Sequence, residues 1–432
     1  MNKYGFLSPQ EYMSAAISEM KQKNDIHIVN PLNWDESIDE CVTYCKENNI
    51  ESVGGYAQKD AYNHILINRG LGNIAPSNLS FLYCMNKYLM RSLESDPLYF
   101  DWVDPLNETN DEIAEKIREW PFMLKNTSLS LGRGIFKISN REQLGLVLNE
   151  YRQDTKLQEE ISNNYHYFMQ GISENQMPKI IPPFIAEHFV DMKKTIEYCY
   201  EGYIDADGKI VHYALTEEVY FENHQALGYI TPPITVDASI ATIVENWVDD
   251  YMGKLANLGY RNQFFNIEFW LDEHKNIIFT EINPRAAHSY YYNYKLSFDN
   301  DLFTDNLELA SGKQVSENTP WVKWKAGEFN TYTLIILLTA KEMGKVSDIF
   351  DLDYIEQQKA NGEISVVRYT RQADDLLTEK DMTSAGAMVL QLWIMGDKDE
   401  LIEKEAIIRQ HAYRNKQEQL TYPQNWQVKE VS

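Results

Sequence analysis

The sequence predicts a multidomain α/β protein. Three observations carry this expectation: strands and helices alternate through the first hundred residues, 432 residues exceed one simple core, and a two-stranded hairpin spans Phe264 to Arg285. Taken in order, Ser8 to Met20 reads as a helix opened by Ser8-Pro9, and Ile26 to Val29 as a short strand. Asp35 to Glu47 carries Ile38, Cys41, Val42 and Cys45 at helical spacing. Ser52-Val53-Gly54-Gly55 ends another short strand, and a helix from about Ala57 to Arg69 follows. That alternation predicts a small parallel sheet of Rossmann-like type. Gly54-Gly55 reads as a tight turn, with close approach of a nucleotide or substrate as the alternative. From about Asn86 the character changes. Lys87 to Ser95 is helical, Pro121 to Lys125 and Ile135 to Ile138 are strands, and Pro183 to Pro233 is mixed, with a hairpin-turn signal at Asp205-Ala-Asp-Gly208. After Pro320 strands and helices resume and end in a polar tail.

Composition narrows the classes of function. A hydrophobic content of 44% and an aromatic content of 12% describe a folded protein. A formal net charge of −25 argues against nucleic-acid binding, which needs a basic footprint, and against an anionic membrane surface. No stretch of 18 apolar residues occurs and no apolar run follows Met1-Asn2-Lys3, so neither a membrane span nor a signal peptide is expected. The four cysteines, Cys41, Cys45, Cys84 and Cys199, have no zinc-like paired spacing; such sparse usage fits a reducing cytoplasm.

The hairpin is the most informative stretch. With Glu273-His274-Lys275-Asn276 as its turn, opposed residues have numbers summing to 549, so Glu268 faces Glu281 and Asn266 faces Asn283. Side chains alternate along strands, so these four share one face, and Phe265, Ile267, Phe269 and Leu271 share the other, with Ile278 and Ile282 across. Two carboxylates opposed at ~5 Å repel. A divalent cation between them removes that penalty, since hard oxygen ligands are what Mg²⁺ takes. Arg285 follows as a fixed positive charge suited to phosphate or carboxylate. The alternative is a solvated acidic hairpin.

The pattern N-x-E, a hairpin and then E-I-N-P-R resembles the metal-binding core of the ATP-grasp superfamily of carboxylate–amine ligases. The resemblance implies that Glu268, Glu281 and Asn283 hold Mg²⁺, with Mn²⁺ as a substitute, against ATP phosphates, and that Arg285 meets the acyl phosphate or the acceptor's carboxylate. It also implies an α/β (α+β) ATP-grasp fold: a Rossmann-like domain over 1–85, an ATP-grasp domain over 86–320 with a lid at about 115–190, and an α+β domain over 321–432 closing the site. Lys125 ends a strand before a loop, Asn126 to Gly134, and resembles the lysine of the family's phosphate loop. The loop departs from the family's usual Lys-Pro start and has only Gly132 and Gly134. Lys87 resembles an earlier ATP-contacting lysine at a helix start. Pro182 to Val190 resembles the adenine hinge, which assigns the base to Glu187 and the backbone of His188 and Val190, and the ribose to Glu197. For Lys87, Glu187 and Glu197 a surface lysine and a buried strand with a rim glutamate explain the same residues without a ligand.

On the substrate side, His288 is a candidate general base for an attacking amine, a group orienting a substrate carboxylate, or a structural histidine. Tyr290 to Tyr294 would shape a pocket or a core. The stretch Gly362 to Arg371 resembles the closing domain of biotin-carboxylase-like relatives, where Arg368 or Arg371 would contact substrate; solvated strand arginines are the alternative. The implied activity is an ATP- and Mg²⁺-dependent ligase that activates a carboxylate as an acyl phosphate and joins it to an amine, with amino acids or peptides as substrates. A biotin-carboxylase-like carboxylase and a non-catalytic ATP-binding protein are the competing readings. The expected partners are small molecules, with neither nucleic acid nor membrane, and a homodimer as is common among relatives.

Overall fold

The computed structural model describes residues 1–29, 38–56, 58–129, 133–223, 225–382, 386–415 and 421. The expected helix starts at Asp35 and Ala57, and Gly132 of the phosphate loop, lie outside these residues.

A three-stranded parallel sheet opens the chain: β1 (Lys3–Leu7), β2 (Asp25–Val29) and β3 (Ser52–Gly54), in the order β2-β1-β3. The central strand β1 is absent from the sequence expectation, which begins at Ser8. There the chain instead turns through Glu11–Met13 into the helix Ser14–Lys23. Parallel strands need crossover helices, and Ser14–Lys23 and Ile38–Glu47 supply them. Gly54 serves close packing: a Cβ there would meet the Tyr56 hydroxyl at 3.0 Å and Leu307 at 3.1 Å.

The second sheet comprises β4 (Phe100–Val103), β5 (Phe122–Asn126), β6 (Ile135–Ile138) and β7 (Phe184–His188), ordered β4-β7-β5-β6. The helices Arg141–Gln153 and Thr155–Met169 cover it, burying Leu144, Leu148 and Ile161 against Phe122, Leu124 and Phe184.

The third and largest sheet is antiparallel and is built from β8 (Thr195–Ile204), β9 (Ile210–Tyr220), β10 (Ala226–Thr231), β11 (Gln263–Asp272), β12 (Ile277–Asn283) and β13 (Tyr332–Ala340). After β14 (Gly344–Lys345) come β15 (Val366–Tyr369), β16 (Leu376–Leu377) and β17 (Ala387–Gly396). Among the described residues eight strands run β12-β11-β8-β9-β10-β13-β17-β15, so one sheet continues across residue 320. Along β11, Phe265, Ile267, Phe269 and Leu271 enter the core beneath the helix Ala238–Asn257, as strand alternation demands. The opposite face of this sheet, turned from that helix, carries the polar residues considered next.

Candidate functional site

The hairpin has the expected register at its polar end. Asn266 pairs with Asn283 and Glu268 with Glu281. Between Glu268 and Phe269 a bulge shifts the pairing, so that Phe269 faces Phe279 and Trp270 faces Ile278. The extra residue reverses the alternation on β12. Ile278 therefore lies on the site face and lines a cavity, where the unbulged register puts it in the core; Phe279 takes the core position instead.

Around the opposed pair, the Asn283 amide donates to Glu268 at 3.2 Å, and the Lys87 ammonium lies 3.6 Å from Glu281. Burial, then the neighbouring charges of Glu281 and Glu197, push the Glu268 carboxyl up to about 8 against the pull of Arg285. These groups crowd like charge into a partly dry place. Among the described residues no three His, Cys, Asp or Glu side chains form a closed metal cage. The donor set is two carboxylates and an amide, all oxygen ligands of the kind a hard cation takes.

Next to the hairpin is a cavity of about 320 Å³ between β7, β12 and the helix Lys87–Ser92, lined in part by Lys125, Glu187, His188, Val190, Ile278 and Arg91. Lys125 leaves the end of β5 and pairs with Glu187 on the adjacent β7. The Arg91 Nε donates to the other Glu187 oxygen at 3.1 Å. Burial alone would raise the Glu187 carboxyl, but Arg91 and Lys125 outweigh it and hold the group at about 2. The His188 N–H is taken by the Tyr99 carbonyl at 2.9 Å. Beyond Lys125, Gly134 closes the loop at φ +68 and its carbonyl accepts from the Asn126 N–H. Lys87 caps this arrangement by donating to the Leu129 carbonyl at 2.9 Å.

Glu197 lies beside the opposed pair, where its charge acts on Glu268 and that of Glu281 acts on it. It faces Trp270 across β8 and β11 and accepts from the Tyr220 hydroxyl at 2.9 Å, beside Glu218, and is not among the residues lining the cavity.

On the far side of the carboxylate pair, Glu201 is fully buried and accepts from the Ala287 N–H at 3.0 Å and the Asn266 amide at 3.1 Å. It thereby pins the turn from Arg285 to His288. The His288 Nδ1 meets the hydroxyl of Tyr12, a residue of the N-terminal segment. The Arg368 guanidinium, from β15, lies 5.0 Å from the centre of the Tyr12 ring and donates to Gln10 and Gln391. Burial, with Arg285 and Arg368 beside it, pushes the His288 imidazole down to about 3, so the ring is neutral near pH 7. Neither arginine forms a salt bridge with a carboxylate among the described residues. Arg371, by contrast, is paired with Asp381 at 3.0 Å on the surface. Tyr290, Tyr291, Tyr292 and Tyr294 are core residues; Tyr291 stacks on Phe303 at 4.1 Å and Tyr292 donates to the Tyr12 carbonyl.

Lys125, Glu187, His188 and Val190 thus line the cavity, Lys87, Glu268, Glu281, Asn283 and Glu197 gather at the opposed pair next to it, and Arg285 and His288 follow on its far side. Sequence reasoning missed Arg91, Glu201 and Tyr12. Arg91 stands four residues after Lys87, on the same helix face, which was the available signal.

Residues 118–291 match the family model described as the ATP-grasp domain. The chain carries an ATP-grasp domain. No curated protein matches it by sequence. Solved structures extend the likeness of fold beyond the ATP-grasp domain. L-amino acid ligase from Bacillus licheniformis superposes with a TM-score of 0.68 at 13% identity, over 98% of this chain and 99% of that one. The biotin carboxylase domain of the Hydrogenobacter thermophilus 2-oxoglutarate carboxylase, a complex with MgADP, ADP and bicarbonate, gives 0.64 at 14% identity, over 98% and 91%. N5-carboxyaminoimidazole ribonucleotide synthetase from Thermotoga maritima gives 0.59 at 14%, over 98% and 100%. Among the described residues no helix is long and apolar enough to cross a membrane.

Proposed function

We propose that the protein is an ATP- and Mg²⁺-dependent, ADP-forming ligase that activates a carboxylate as an acyl phosphate and joins it to an amine, with amino acids or peptides as substrates. The observation that carries this reading is the opposed Glu268–Glu281 pair standing between two differently charged regions. On one side is the cavity of Lys125 and Glu187; on the other are Arg285, His288 and Arg368.

In this reading Glu187, the His188 carbonyl and Val190 hold the adenine. Lys87 and Lys125 meet the phosphates as point charges. Glu268, Glu281 and Asn283 hold Mg²⁺, which suits a cation usually bound by one or two carboxylates together with substrate phosphates. Bound there, Mg²⁺ neutralises charge on the β- and γ-phosphates. The carboxylate substrate, placed by Arg285, attacks the γ-phosphorus, and ADP leaves; an amine then displaces phosphate from the acyl carbon. Arg368 gives the acceptor's own carboxylate a partner. The chain's work is positioning, charge stabilisation and exclusion of water, which would otherwise hydrolyse the acyl phosphate. The lid over about 115–190 would serve that last purpose, and the reaction would take place in the cytoplasm.

Glu281→Gln tests the assignment. It removes one metal-binding charge with little change of shape, so Mg²⁺-dependent ADP formation should fall by at least ~10²-fold with the melting curve retained. Undiminished turnover would sink the metal assignment. A panel of amino acids and dipeptides, read as ATP-dependent phosphate release, tests the substrate class. Release dependent on bicarbonate and stimulated by biotin would favour a carboxylase, and ATP binding without ADP release a non-catalytic role.

A further inference from the structure

A buried and a half-buried histidine in this protein share one hydrogen-bonding pattern, and the pattern bears on what His288 can do. At His64 it is unambiguous. The Gly55 N–H, which can only donate, points at Nδ1 from 3.1 Å; Nε2 therefore carries the proton and donates to the Gln263 side-chain oxygen at 2.5 Å. At His288 the group on Nδ1 is the Tyr12 hydroxyl. Tyr12 is 9% exposed, and its hydroxyl has no other hydrogen-bond partner among the described residues. A buried O–H left undonated is costly, and Nδ1 is the acceptor within reach. Donation from Tyr12 places the imidazole proton on Nε2, which has no partner of its own among the described residues.

Electrostatics point the same way. A base at this position would end its work as an imidazolium between Arg285 and Arg368, whose positive charges both act on the ring. A neutral donor suffers no such penalty and adds a third N–H to two guanidiniums that form no salt bridge among the described residues. The Tyr12 ring is itself fixed, stacked on Trp393 at 5.8 Å and lying under Arg368.

We propose that Tyr12 holds His288 as the Nε2–H tautomer, so that the imidazole donates a hydrogen bond, beside Arg285 and Arg368, to an oxygen on the substrate's acyl carbon and takes no proton from the amine. Tyr12 is then a positioning residue that joins the N-terminal sheet to the chemistry. What the donor meets rests on the ligase reading; the tautomer does not.

The test separates the two. In the full chain labelled with ¹⁵N-histidine, long-range proton–nitrogen correlation near neutral pH should show His288 protonated on Nε2 and bare on Nδ1, as His64 is. The His288→Gln variant assigns the signal. A proton on Nδ1, or a mixture of tautomers in the wild type, overturns the proposal. In Tyr12→Phe, which keeps the ring on Trp393, the His288 tautomer should become mixed, with an unchanged His64 signal reporting an intact fold. An unmoved His288 signal in that variant would show that Tyr12 does not set it. In turnover, His288→Ala should lose about 10²-fold in kcat, and His288→Gln, which keeps an N–H near Nε2, should recover about tenfold of that. Equal loss in both variants would overturn the donor role. If no acid or amine supports ADP formation, the ligase reading fails while the tautomer still stands or falls on the spectrum.

Discussion

The two flanks of the carboxylate pair are both built from charged side chains, but among the described residues only one of them has its cations in salt bridges. On the flank proposed for the nucleotide Lys125 and Arg91 share Glu187, and Lys87 lies against Glu281. On the flank proposed for the acceptor, Arg285 and Arg368 donate, among the described residues, to carbonyl and amide oxygens. Salt bridges thus hold the first set of cations in place, whereas on the second flank Arg285 acts on the Glu201 and Glu268 carboxyls without a salt bridge to either, and Arg368 has no carboxylate partner among the described residues. Loss of a cation should accordingly be felt in different kinetic constants on the two flanks.

The largest expected effect is on the nucleotide side. Lys125→Met should lower ADP formation by ~10²–10³-fold with every acid tested, because a phosphate charge then goes unanswered in a low-dielectric cavity. The KM for ATP should rise and those for acid and amine should hardly move. Unchanged ATP kinetics would show that the pairing with Glu187 is structural and would erase the contrast. Next in size is Arg368→Ala. A lost charge-assisted hydrogen bond is worth ~1.5–3 kcal/mol, which predicts a KM for the carboxylate-bearing acceptor raised ~10–100-fold at constant KM for ATP. Arg371→Ala is the control and should change either constant less than ~2-fold, its partner being Asp381 on the surface. Equal effects from the two substitutions would remove Arg368 from the acceptor flank.

The two flanks also differ in how far they were legible in the sequence. Glu268, Glu281, Asn266 and Asn283 are set by one hairpin, whose turn and alternation fix the register locally, and the register is as read up to Glu281. One bulge was enough to move Ile278 across the sheet, since a single inserted residue leaves no mark in a pattern of alternating apolar residues. The parallel N-terminal sheet followed from strand–helix alternation, yet its middle strand, Lys3–Leu7, was missed because five residues at a terminus carry little periodicity. The acceptor flank was least legible. Tyr12, His288 and Arg368 come from three sheet-bearing segments, and the Tyr12–His288 contact spans 276 residues. No local rule joins such positions; only the stacking of the N-terminal sheet on the Tyr290–Tyr294 core brings Tyr12 to the imidazole. Glu197, expected at a ribose from the hinge spacing, pairs across the sheet with Trp270, a residue lining the cavity, and meets Tyr220 and Glu218 beside the opposed pair.

The smallest effect is a difference in acid stability, which tests the balance of charge without any substrate. Glu187 is held at about 2 by Arg91 and Lys125, against an ordinary value of 4.5. Above 4.5 the carboxylate is ionised in both the folded and unfolded chain, and its pairing stabilises the fold in full. As pH falls from 4.5 towards 2, the unfolded chain takes up a proton that the folded one resists, so stability is lost across that window, by ~3 kcal/mol at most. Denaturant unfolding between pH 5 and pH 3 measures this. In Glu187→Gln the two buried cations lose their partner, which should cost ~3–5 kcal/mol near pH 7. The gap from wild type should then narrow steadily below pH 4.5, as protonation makes the wild type resemble the variant. A gap independent of pH would mean that the two cations do not depend on this carboxylate. Arg368→Ala should instead follow the wild-type pH curve in parallel, because among the described residues no carboxylate pairs with that guanidinium; a slope of its own would show a hidden counter-charge on the acceptor flank and end the contrast between the two sides.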